Sequence, residues 1–219
     1  MLDFKNYRSF ILKNKKYSSF KKTFIIAEIG TNHNNNFNTC RKLIILSKRA
    51  GCDAVKFQLF RANFLVQKSN PAYNVLKKYE LPLNWLPKIS KICKEQNIFF
   101  ACSPFYMDAI KILKSNGCQL LKIASPEIKN IPLVKSAIKS KLPLIISTGD
   151  TNFRDVSRVF KLIPKKSYNK TAFLHCVSEY PNSIKNINLN MINFLKKKFN
   201  KVSIGFSDHS MGTDMALAA

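Results

Sequence analysis

Acidic residues are scarce in this chain: 12 Asp and Glu stand against 37 Lys and Arg, a formal net charge of +25 at pH 7 over 219 residues. None of the six cysteines (Cys40, Cys52, Cys93, Cys102, Cys118, Cys176) stands in a C-x-x-C pair, which argues against a zinc ribbon. No uninterrupted apolar run approaches the roughly 18 residues that a membrane-spanning helix needs. The stretch 1–22 has no secretory h-region, because Phe10-Ile11-Leu12 is followed at once by Lys13, Lys15 and Lys16. These absences predict a cytoplasmic protein whose reduced thiols pack as small hydrophobes in or near the core.

So large a positive charge invites a nucleic-acid reading. Its distribution argues the other way. Lysines are spread along the predicted helices, as in Lys88-Ile89-Ser90-Lys91 and from Lys135 to Lys141. Only Lys196-Lys197-Lys198 and the stretch from Lys165 to Lys170 resemble clusters. A solvated basic surface is favoured over a nucleic-acid footprint, and it suits anionic sugars or phosphates equally well.

What is present is alternation. Short apolar segments recur: Phe24–Ala27, Ala54–Phe57, Ile98–Ala101, Leu120–Ile123, Leu144–Ser147, Ala172–His175 and Val202–Phe206. Each is too short for a helix and carries the β-branched or aromatic residues of a strand buried on both faces. Between them, Cys40–Ala50, Leu86–Gln96, Tyr106–Ser115, Leu133–Ser140 and Asn188–Phe199 space apolar residues by three and four, as amphipathic helices do. The pattern predicts an α/β fold with a parallel sheet, either doubly wound or closed. Its repeat matches the (β/α)8 TIM barrel. Seven strands are counted and no eighth, so an incomplete barrel over 23–219 is expected, behind a basic extension over 1–22. A barrel one strand short exposes two edges, which points to a fragment or a truncated reading frame.

Reactive side chains follow the apolar runs. Glu28, Asn32 and His33 follow the first; Lys56 and Gln58 sit in the second; the third runs into Ser103-Pro104. Lys122, Ser125 and Glu127 attend the fourth, Ser147-Thr148-Gly149 the fifth, His175 through Tyr180 the sixth, and Ser207-Asp208-His209 the seventh. In a β/α barrel the carboxyl ends of all strands face one mouth, where active sites lie. Burying the ammonium groups of Lys56 and Lys122 among Val, Phe and Ile is costly unless each meets an anion. With Ser103, Ser125 and Ser207 nearby they are equipped to hold a small anion such as a phosphate ester. The competing reading, two lysines snorkelling to solvent, is the weaker.

The same segments carry a resemblance. Ile26-Ala27-Glu28-Ile29-Gly30-Thr31-Asn32-His33-Asn34, Ala50-Gly51-Cys52-Asp53-Ala54-Val55-Lys56-Phe57-Gln58, Lys122-Ile123-Ala124-Ser125-Pro126-Glu127, Ile146-Ser147-Thr148-Gly149, Leu174-His175-Cys176-Val177-Ser178-Glu179-Tyr180-Pro181 and Gly205-Phe206-Ser207-Asp208-His209 occur in the order found in the sialic acid synthase (N-acetylneuraminate synthase) family. That family, which the chain resembles from Phe24 to about Gly212, includes the legionaminic and pseudaminic acid synthases. The resemblance implies condensation of phosphoenolpyruvate with the aldehyde of an N-acetylmannosamine-type amino sugar, giving a nine-carbon 2-keto acid and phosphate. It implies that Lys56, Ser103, Lys122, Ser125 and Ser207 hold phosphoenolpyruvate, and that Gln58 and Tyr180 shape the substrate pocket. Glu28 would contact the sugar aldehyde end, and Glu127 would handle protons near a divalent metal, manganese or magnesium. His209 would be one of two histidine ligands to that metal, with Asp208 orienting it. The family's second metal histidine lies beyond Ala219. So does an antifreeze-like domain that lends an arginine to the partner subunit's site in a homodimer. The chain by itself is therefore expected to be inactive.

Some residues depart from the family pattern or have plainer readings. Asn34-Asn35 replaces Asn-Gly, a mild change because Asn tolerates left-handed backbone. Pro126 replaces a glycine, which stiffens the loop and removes an N–H donor. Asp150 stands where an apolar residue is common, and Ser103 where threonine is frequent. For His33, turn capping competes evenly with substrate contact; His175 reads as a core histidine; Glu179 as solvated; Trp85 as packing. Alternatives at this point are a Schiff-base aldolase using Lys122, a basic nucleic-acid-binding protein, and a degenerate remnant without catalysis. The identity of the sugar is left open.

Overall fold

The computed structural model describes residues 9–18 and 22–219. The part of the expected basic extension at 1–8 and 19–21 lies outside the described residues. Contacts divide the chain into two compact units, one over 24–122 and one combining 123–219 with the amino-terminal segment.

The 24–122 unit runs β3 (Ile26–Gly30), α1 (Phe37–Arg49), β4 (Ala54–Leu59), the short α2 (Ala62–Leu65) and α3 (Ala72–Lys78), α4 (Leu86–Glu95), β5 (Phe99–Pro104), α5 (Met107–Ser115) and β6 (Leu120–Ile123). Its strands are parallel and pair in chain order: Glu28 lies opposite Lys56, Gln58 opposite Ser103, and Cys102 opposite Leu121. With Lys56 and Gln58 on the opposite face of β4, Val55, Phe57 and Leu59 of that strand and Phe100 of β5, at 1% exposure or less, form the apolar core. Each such side chain contributes about 1.5–3 kcal/mol by leaving water. The turn after β3 takes left-handed backbone at Gly30, Asn34 and Asn35 (φ 52°, 48° and 52°), so the Asn pair does there what glycine would do.

In the other unit, β1 (Phe10–Leu12) and β2 (Lys15–Tyr17) form an antiparallel hairpin. Then come α6 (Ile131–Lys139), β7 (Leu144–Ser147), α7 (Phe153–Leu162), β8 (Thr171–Cys176), α8 (Asn190–Lys198), β9 (Ser203–Ser207) and α9 (Asp214–Ala218). β7, β8 and β9 are parallel and in chain order, and the last pairing sets Cys176 opposite Ser207. Phe173 anchors an aromatic cluster with Phe160 and Phe199 at ring separations of 5.2–6.3 Å. The hairpin adds a feature that the basic sequence concealed. Phe10, Leu12 and Tyr17 are buried at 4%, 1% and 5% exposure while Lys13, Lys15 and Lys16 face solvent, and the first strand packs against the turn at Lys165–Lys170.

Both units therefore alternate parallel strand and helix, as a β/α fold requires. No helix of the described residues is long and apolar enough to cross a membrane. No disulfide links the six cysteines, five of which are buried. Burial pushes the Cys40, Cys93 and Cys118 thiols up to about 12, so they behave as packing groups.

Candidate functional site

In the 24–122 unit the expected site residues meet at the carboxyl ends of β3, β4 and β5. Lys56 is 5% exposed. Its Nζ pairs with the half-exposed carboxylate of Glu28 and donates to Ser103 Oγ at 3.3 Å. The in-register pairing of β3 with β4 creates this ion pair, because Glu28 and Lys56 lie opposite each other. Gln58 is on the same face two residues on. Gly30 completes the floor: a methyl group there would sit 3.2 Å from Glu28 Oε1 and 3.8 Å from Gln58 Nε2, on backbone that disfavours a side chain. A buried ammonium held by one partly solvated carboxylate and one hydroxyl can exchange that carboxylate for an incoming anion. Lys122 is half-buried in β6 of this unit.

His33 is fully buried. Its Nδ1 accepts the Asn35 N–H at 3.1 Å, and its ring meets Trp85 edge-on at 5.5 Å. Burial holds its pKa below the ordinary histidine value. Of the two roles expected for His33, turn capping is the one this geometry displays, and Trp85 packs between His33 and Phe37.

In the other unit, Ser125 Oγ accepts the Gly149 N–H at 3.1 Å. Glycine is required there by close approach: a methyl on Gly149 would come within 2.6 Å of Ser178 Oγ and 2.7 Å of Ser125 Oγ. Pro126 occupies the first turn of the 3₁₀ segment Pro126–Lys129, where its missing N–H leaves no partner wanting. Glu127 accepts from Asn130 Nδ2 at 3.1 Å. Ser147 is fully buried at the end of β7, and its hydroxyl has no partner among the described residues.

The loop after β8 grips His209. His209 Nδ1 lies 2.7 Å from the Val177 carbonyl and therefore carries the ring hydrogen. The other nitrogen, Nε2, lies 3.1 Å from Tyr180 Oη, with the two rings 4.1 Å apart. Asn182 N–H donates to the His209 carbonyl at 3.0 Å. Ser207 ends β9, two residues before His209. His175 differs from His209: it is 6% exposed and its Nε2 is 2.6 Å from the Ile187 carbonyl, a satisfied core histidine. Glu179 is exposed, as expected, and it accepts from Ser183 N–H and Asn186 Nδ2 at 3.3 and 3.1 Å within this loop.

Comparison with known proteins identifies the family. The NeuB family model matches residues 43–219. The N,N'-diacetyllegionaminic acid synthase of Campylobacter jejuni is 35% identical over 215 residues, 91% of this chain and 64% of that protein. The N-acetylneuraminate-9-phosphate synthase of Drosophila melanogaster is 33% identical, over 90% of this chain and 56% of its own length. This chain belongs to the NeuB family. Among solved structures, the N-acetylneuraminic acid (sialic acid) synthetase of Leptospira borgpetersenii superposes with a TM-score of 0.91 at 32% identity, over 97% of this chain and 74% of that one. A truncated 3-deoxy-D-arabino-heptulosonate 7-phosphate synthase of Thermotoga maritima shares the fold alone, with a TM-score of 0.66 at 12% identity. The NeuB-family chain described here thus spans 56–64% of the length of the two curated relatives it was compared with.

Two expectations meet limits or additions in this NeuB-family chain. For a divalent metal, His209 has the form of a ligand: the backbone carbonyl of Val177 fixes one ring nitrogen as donor and leaves the other basic. Among the described residues no group of three or more His, Cys, Asp or Glu side chains could hold a metal, so these residues fit a single ligand of the set. Sequence reasoning named Ser147, Gly149 and Ser178 within their motifs but gave them no role. The Ser-Thr-Gly run was visible, but the proximity of Gly149 to two hydroxyls depends on contacts among three separate segments.

Proposed function

We propose that this chain carries substrate-binding residues of a synthase that joins phosphoenolpyruvate to an N-acetylmannosamine-type amino sugar. Carbon 3 of phosphoenolpyruvate bonds to the aldehyde carbon, water adds at carbon 2, and the carbon–oxygen bond to phosphate breaks. The products are a nine-carbon 2-keto acid and inorganic phosphate. The observation that carries this reading is Lys56, a buried cation shared between Glu28 and Ser103 at the carboxyl end of parallel strands. Membership of a family whose relatives are named for such syntheses supports it.

In this reading Lys56, Ser103 and Lys122, with Ser125 and Ser207, take the oxygens of phosphoenolpyruvate. Once the anion occupies Lys56, Glu28 is released toward the sugar, whose position Gln58 and Tyr180 define. Glu127 exchanges protons with water. His209 would hold manganese or magnesium, which when bound polarises the aldehyde oxygen.

Calorimetric titration of phosphoenolpyruvate tests the reading. Losing a charge-assisted hydrogen bond weakens binding by about 10–100-fold, so Lys56→Met should lower affinity by that factor without loss of folding. Saturable binding that is indifferent to Lys56→Met would contradict it. Calorimetric titration of each candidate amino sugar then identifies the second substrate.

A further inference from the structure

The chain leaves β4 just past Gln58 and does not reach α4 until Leu86. The intervening excursion is anchored at both ends and exposed between them. Ala62 and Leu81 are fully buried, whereas Phe64 and Val75 are 61% and 58% exposed. A single carboxylate joins the two ends. Glu80, with a side chain only 10% exposed, accepts the Ala62 N–H at 2.8 Å and Arg61 Nη1 at 3.2 Å from the outgoing end. It accepts Lys77 Nζ at 3.1 and 3.3 Å from the returning end. Arg61 also donates to the Leu81 carbonyl at 3.4 Å. The excursion lies against the loop that follows Ser103, with Phe64 on Tyr106 at 5.2 Å and Phe60 on Phe105 at 6.2 Å between ring centres.

A surface ion pair would need no such concentration of donors, and exposed pairs contribute little. Here one largely buried carboxylate receives a helix N–H and two cations, and it stands at the closure of an excursion that begins three residues after Gln58. We propose that Glu80 is a positioning residue: it clasps the two ends of the 61–80 excursion, holds that segment against the loop after β5, and so sets how readily the second substrate reaches the cluster of Glu28, Lys56, Gln58 and Ser103. The identity of that substrate as an amino sugar rests on the function proposed above.

Two readouts test the clasp, one of them independent of turnover. Lys68 lies in the exposed middle of the excursion, so tryptic cutting after it reports release of the segment. Neutralising the carboxylate in Glu80→Gln should speed that cut about tenfold, the lower end expected for a charge-assisted hydrogen bond. In the same variant KM for N-acetylmannosamine should rise while kcat and the affinity for phosphoenolpyruvate hold. If Glu80→Gln unfolds, Lys77→Met removes one partner only and should give a smaller rise in cutting. Cutting at the wild-type rate in whichever variant folds overturns the proposal, as does faster cutting with an unchanged sugar KM. If the wild type forms no product with any sugar, as expected of the chain by itself, a fall in calorimetric affinity for N-acetylmannosamine in Glu80→Gln takes the place of the KM readout. A wild type that binds no amino sugar counts against the proposed function instead, and cutting alone then decides whether Glu80 clasps the segment.

Discussion

At the scale of single residues, chemistry was legible wherever an ionisable group interrupted an apolar run. Lys56 stood out because an ammonium among Val55 and Phe57 needs an explanation that composition cannot give. Its pairing with Glu28 was not legible, since it depends on the register between two strands separated by a helix. His175 and His209, by contrast, were told apart by position, one within an apolar run and one just past another, and the Ile187 carbonyl gives His175 the partner a core histidine needs. Gly149→Ala would press a methyl against the Ser125 and Ser178 hydroxyls. Overpacking of this kind costs about 1–3 kcal/mol, so phosphoenolpyruvate affinity should fall with a modest loss of thermal stability. Calorimetry beside thermal unfolding separates the two effects. Glu80 supplies a pH test. Burial pushes its pKa up, but the Ala62 N–H, the Lys77 hydrogen bond and the charges of Lys77 and Arg61 outweigh burial and hold it below the usual glutamate value. A carboxyl lowered on folding contributes stability above its unfolded pKa, and that contribution is lost as pH falls through the folded value. Acid titration of stability should therefore be flatter in Glu80→Gln than in the wild type, most visibly below the ordinary glutamate range.

At the scale of elements, buried strands and amphipathic helices announced themselves, and Leu120–Ile123 and Leu144–Ser147 end where the sequence placed them. Several elements escaped, among them one long helix and the amino-terminal hairpin. The helix Phe153–Leu162 spaces Phe153, Val156, Val159 and Phe160 by three and four, and Asn152 caps it while Asp155 returns the bond in a capping box. That four-residue signal could have found it. Asn152→Ala should cost about 1 kcal/mol by orphaning the Arg154 and Asp155 N–H groups, read as a lower melting temperature. The amino-terminal hairpin escaped because its lysines dominate the composition, while the buried face belongs to Phe10, Leu12 and Tyr17. Alternation over two three-residue strands is too short to read without knowing what covers it.

At the scale of the whole molecule, net charge was the most conspicuous number and the least informative about fold or chemistry. The lysines lie mostly on exposed helix faces, where they act on solubility and on the approach of anions. Binding to arbitrary duplex DNA should accordingly be weak and vanish at moderate salt. Family membership, by contrast, was legible from six short motifs in order, because each marks a strand end where backbone geometry and chemistry restrict the residue together. The most direct measurement is titration of phosphoenolpyruvate into the wild-type chain and into Lys56→Met, followed calorimetrically. The account predicts one saturable site in the wild type and an affinity reduced about 10–100-fold in a folded variant. Heat of binding that is absent in both, or identical in both, would contradict it.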